Sequence, residues 1–124
     1  MTNQKLKEIE IFLAKPDFFD FLKTLDIDEA LDLRDEPKFD SCWMDNFNLL
    51  KGESFDASDI AQIDSLREKA FKLSFRVIND SEIASRISDD IELIAKNIII
   101  GKEDSWAVST LWAAYKSGKS LFKF

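Results

Sequence analysis

Histidine is missing from the sequence altogether. That removes the commonest general base and the commonest soft-metal ligand, and it excludes Ser-His-Asp and Cys-His nucleophile systems in their usual form. Cysteine occurs once, at Cys42, which rules out an internal disulfide and fits a reducing compartment. Beside Trp43 near an apolar stripe, that thiol reads as structural and inert. Three glycines and two prolines punctuate 124 residues, too few turn signals for a β-sandwich, which needs one roughly every 8–12 residues. A glycine-rich phosphate loop is also lacking. The stretch MTNQKLKEIEIFLAK has no apolar run long enough for a signal peptide or a membrane span, so the expected location is cytoplasmic.

What is present is apolar periodicity. Apolar residues make up 45% and charged residues 33% of the chain, the balance of a globular protein with one real core. Leu6, Ile9, Phe12 and Leu13 recur at helical spacing until Pro16 interrupts them, and Phe18, Phe21, Leu22 and Leu25 share a second face. An acidic helix around 28–35 stops before Pro37. Phe39, Trp43, Phe47 and Leu50 mark a helix over 38–51, with Gly52 placed for a left-handed cap. Ile63, Leu66, Ala70, Leu73 and Val77 line a helix over 59–78, opened by Asp56 or Ser58. Asn79 to Glu82 offers a capping arrangement for a helix running towards Gly101, which Ser88–Asp90 could divide. Its run IELIAKNIII is apolar almost all round, which predicts a central position. A last helix over 105–117 stops at Gly118. The expectation is an all-α, single-domain orthogonal helix bundle of about five to seven helices spanning residues 1–124.

Eleven phenylalanines and three tryptophans mostly fall on these core stripes. Trp106 differs: at about 100° per residue it points away from the Val108, Leu111, Trp112 and Tyr115 stripe. It reads either as packing at a helix start or as an exposed anchor for a partner. Lys69, Lys72 and Arg76, with Arg67 nearby, form a basic stripe best read as a solvated face or as partners for internal acids.

Charge is unevenly spread. Residues 1–62 hold 15 acids against 7 bases, and residues 63–124 hold 9 against 10. The extreme is LDIDEALDLRDEPKFDSCWMD, residues 25–45. Asp26 and Asp28 open it like a calcium loop, but Leu31 stands where glycine is needed and Pro37 where a glutamate is needed. Asp89 and Glu92 could hold magnesium, although two acids on a helix are common by chance. No catalytic residue, cofactor site or metal site emerges, and an enzyme is not expected. A one-signed block repels itself and repels phosphate backbones, so direct nucleic-acid binding is disfavoured. It reads as a surface for a basic protein, or simply as a device for solubility. The candidate partner-binding residues are Asp28, Glu29, Asp32, Asp35, Glu36, Asp40, Asp45 and Trp106.

The stretches FLAKPDFFDFLKTLDIDEAL, FDSCWMDNFNLL and SWAVSTLWAAYKSGKSLF together resemble small acidic all-helical immunity proteins of bacterial toxin systems, contact-dependent growth inhibition in particular. The resemblance implies a protein that binds and neutralises a cognate toxin domain, often a nuclease, in the cytoplasm of the producer. Nuclease toxins carry basic clefts, which an inhibitor can plug or flank with carboxylates. The competing expectation is a helical adaptor or structural subunit of a homo- or hetero-oligomer, using NIII and the terminal LFKF instead of the acidic face.

Overall fold

The computed structural model describes residues 3–118, and among them the chain is helical with no strand. A 3-10 turn, Gln4–Leu6, runs into α1 (Lys7–Leu13), and a second 3-10 turn spans Asp20–Thr24. Then come α2 (Ile27–Asp35), α3 (Pro37–Leu49), α4 (Ala57–Ile78) and α5 (Ser81–Ile99). A π-helical stretch, Ala107–Trp112, continues directly as α6 (Ala113–Ser117).

Local chemistry fixes most of the boundaries. Asp26 caps α2 by accepting from the Glu29 amide at 2.9 Å, and Pro37 occupies the first turn of α3, where its missing N–H costs nothing. Glu36 before it is extended, as a residue preceding proline should be. Asn79 ends α4 in the left-handed conformation (φ 58°), and Asp80, not Asn79, caps α5 by accepting from the Ile83 amide at 2.9 Å. The expected capping arrangement is thus displaced by one residue, because Asn79 is already committed to closing the preceding helix. Asp56 stands at the cap position of α4 without making a side-chain bond to it. Gly118 ends α6 with φ 69°, as its position predicted. Gly52 does not take the left-handed role foreseen for it: α3 closes earlier through tight bonds, Leu50 N–H to Phe47 C=O and Lys51 N–H to Asn48 C=O. Ser88–Asp90 does not divide α5.

α5 is the axis of the bundle. It buries eleven side chains, and its contact with α4 is the most extensive between two helices. The core draws on every element, from Leu6 and Ile9 through Leu22, Phe39, Leu66 and Ile91 to Trp112 and Tyr115. Phe18 gathers an aromatic cluster, with its ring 5.9 Å from Phe12, 6.1 Å from Trp112 and 6.4 Å from Tyr115. This cluster fastens the segment after α1 to the C-terminal helix. Ile98 is buried, and Ile99 and Ile100 pack against the core. The apolar run NIII is therefore largely spent inside the molecule, while LFKF lies outside the described residues.

α3 departs from its expected stripe. Phe39 and Leu50 are buried, but Trp43 is only half-buried and Phe47 is 37% exposed, its ring stacked on Trp43 at 5.6 Å. The reason is that α3 turns Asn46 inward, so the buried line runs through Phe39, Asn46 and Leu50.

Candidate functional site

α2 and α3 carry the acidic segment. α2 buries only Ala30 and Arg34, a thin apolar contribution beside that of α5, since a fully buried leucine or isoleucine contributes about 1.5–3 kcal/mol. Ile27 and Leu31 pack partly buried against the core, and an ionic link adds to the attachment. Both terminal nitrogens of Arg34 donate to Asp90 of α5, Nη1 to Oδ2 and Nη2 to Oδ1, each at 2.7 Å. The guanidinium also lies over the Phe39 ring at 4.2 Å.

Asp90 is wholly buried and accepts from three helices at once. Besides Arg34 it receives the Trp43 indole N–H at 2.9 Å and the Tyr115 hydroxyl at 2.7 Å. Each carboxylate oxygen thus has two donors, which offsets the cost of burying a charge. Burial works against the charged guanidinium, but the adjacent Asp90 carboxylate outweighs it and raises the Arg34 pKa. Burial, then Asp90, pushes the Tyr115 phenol well above its ordinary value.

A second polar node lies seven residues further along α5. Asn97 Oδ1 accepts from Asn46 Nδ2 at 2.9 Å, and Asn46 Oδ1 accepts the Ala107 amide N–H at 2.8 Å. Together the nodes clamp α2, α3, the π stretch and α6 onto α5. α2 and α3, which bear the acids, are thereby fixed to the rigid centre.

All seven acids proposed for partner binding are exposed: Asp28, Glu29, Asp32, Asp35, Asp40 and Asp45 on these two successive helices, and Glu36 at the junction between them. Asp35 pairs with Arg86 of α5 at 2.9 Å. The other six have no ion pair among the described residues. Trp106 is half-buried with its ring edge-on to Phe39 at 5.3 Å, which places it alongside α3. An α-helical turn here would direct it away from the core stripe, but the turn that follows is the wider π form.

Asp89 and Glu92 do not stand open to a cation. Arg67 holds both, at 2.8 and 2.5 Å, and Lys96 holds Glu92 at 2.9 Å. Burial raises the Asp89 carboxyl pKa even so, and the neighbouring Asp90 adds to the rise while Arg67 opposes it. Among the described residues, no three acids or thiols converge as a metal site would require. Of the basic stripe, Lys72 pairs with Glu68 at 2.7 Å, and Lys69 and Arg76 are exposed. Cys42 is a free, half-buried thiol. Among the described residues no helix is long and apolar enough to cross a membrane.

Apolar periodicity alone does not reveal the Asp90 node. A signal was available: Asp90 falls between Ile87 and Ile94 on the most apolar face of α5, three residues after one and four before the other. An acid there must find buried donors. Arg34, Trp43 and Tyr115 each lie in a different helix, so nothing local identified them.

No curated protein matches the chain. The family model described as immunity protein PIM1 matches residues 8–120, nearly the whole sequence and every element that carries the acidic face and the Asp90 node, and the chain belongs to that family of immunity proteins.

Proposed function

We propose that this protein neutralises a basic, nuclease-type toxin domain by docking on it through the acidic face of α2 and α3. It works without catalysis or cofactor, in the cytoplasm of a bacterium that deploys the toxin, in contact-dependent growth inhibition or a related system. The observation that supports this reading is that six exposed carboxylates, Asp28, Glu29, Asp32, Asp40 and Asp45 on two adjoining helices and Glu36 at the junction between them, have no ion pair among the described residues. Unpaired like charges gathered on adjoining helices repel each other, and only Asp28, Glu29 and Asp40, in the first turns of their helices, offset this through the helix dipole. Facing a basic cleft, they would accelerate encounter and replace the phosphates that the cleft normally binds. Trp106 lies at the border of this face, next to Phe39, where an aromatic ring can serve as an anchor.

The test is co-expression. The C-terminal domain encoded by the neighbouring upstream reading frame is induced in bacteria with and without this protein. Rescue of growth, with a complex that co-purifies at low salt, is the expected result. Toxicity that this protein fails to relieve would overturn the reading.

A further inference from the structure

Three of the five large apolar side chains left exposed among the described residues lie on α3: Met44, Phe47 and Leu49, at 39%, 37% and 71%. Two of these, Met44 and Phe47, are not scattered. Asp40, Met44 and Phe47 follow one another at helical spacing, and Trp43 stacks on Phe47 with the rings 20° from parallel. Between this stripe and α5 run two adjoining hollows of about 420 and 310 Å³ that share Trp43, Met44 and Asp89 in their walls, together a grooved surface.

Resting on the immunity reading above, we propose that this groove seats an apolar side chain of the toxin domain, bordered there by lysine or arginine. The groove is therefore the energetic centre of the interface that the acidic face steers. The chemistry of the occupant follows from the charges. The cations that line the groove are already engaged: Arg34 with Asp90, Arg67 with Asp89 and Glu92, Lys96 with Glu92, and Arg86 with Asp35 and Glu82. Asp40, exposed and lining the smaller hollow, has no such ion pair. A partner entering here meets apolar surface within and unpaired negative charge at the rim. Such an arrangement selects an apolar anchor ringed by cations.

Trp43 is held in place by its indole N–H on Asp90, and Phe47 stacks on it. Met44 supplies the adaptable contact that an irregular anchor needs. Preorganised rings lose little entropy on binding. The division of labour is then testable, because rim charges govern association and salt dependence while a desolvated centre governs dissociation.

The sequence contains two methionines, Met1 and Met44, so methionine-methyl NMR of the intact protein reads the groove directly. Titration with the toxin domain of the co-expression test is expected to shift the Met44 methyl signal. Met44→Ser and Phe47→Ser should each speed dissociation and weaken binding about 30-fold, with the salt dependence kept. Leu49→Ser, on the same helix but outside the groove, should bind as the wild type does. A wild-type complex whose Met44 signal stays unmoved, and which Met44→Ser and Phe47→Ser leave intact, would overturn the groove proposal and leave immunity standing. A toxin domain that the wild type does not bind would overturn both.

Discussion

Arg34 and Asp90 meet in a forked pair with both contacts at 2.7 Å, fully inside the protein and 56 residues apart in the chain. The pair joins the helix that carries the acidic surface to the axis of the bundle. Removing one partner leaves a buried charge without its counterion, a change that costs about 3–5 kcal/mol. Arg34→Met and Asp90→Asn are expected to lower stability by that order in urea denaturation. Asp90→Asn should be accompanied by loss of order in α2, visible as faster amide exchange over residues 27–35. An unchanged midpoint in both variants would mean that packing alone holds α2.

Tyr115 is the single tyrosine in the chain, so its ionisation can be followed by ultraviolet absorbance without interference from another phenol. Burial and the Asp90 carboxylate hold its folded-state pKa well above 10. A raised folded-state pKa gives stabilisation that is complete below the unfolded value, about 10, and is lost as pH rises towards the folded value. Stability should therefore fall above about pH 10, with tyrosinate appearing together with unfolding. Tyr115→Phe should cost about 1–3 kcal/mol at neutral pH, because Asp90 loses a donor. It should also flatten the alkaline limb. Tyrosinate forming in the still-folded protein near pH 10 would show that the phenol reaches solvent.

The junction of α4 and α5 separates two adjacent roles. Asp80→Ala removes the cap on the Ile83 amide and should cost about 1 kcal/mol. Asn79→Gly keeps the left-handed turn and should change stability by only a few tenths of a kcal/mol. Thermal melts of the two variants decide this, and the reverse order of effect would place the cap at Asn79.

Charge reversal tests the acidic face. Asp35 already engages Arg86, so reversing it would also disturb α5, and the cleaner set is Asp28→Lys, Asp32→Lys and Glu36→Lys. This triple variant should keep its helical circular dichroism. It should associate with the toxin domain at least about tenfold more slowly at low salt, with a flattened salt dependence. Association at the wild-type rate would show that another face meets the toxin.

The sequence by itself determined the helices, several of their ends and the segregation of charge, because these depend on neighbours a few residues away. Pro37 starts a helix, Gly118 ends one, and the stripe from Ile63 to Ala70 turns inward, each by local chemistry. The exposure of the acids was legible for the same reason, since no nearby apolar pattern could bury them. Tertiary structure alone decided which polar groups are buried together. The partners of Asp90 stand 56, 47 and 25 residues away, and no periodic pattern links positions at such separations. It also decided that Asn46 turns inward, where it satisfies the Ala107 amide and Asn97, while Phe47 is left partly exposed. The acidic face belongs to the sequence, and the groove beside it exists only because α3 packs on α5 in that orientation.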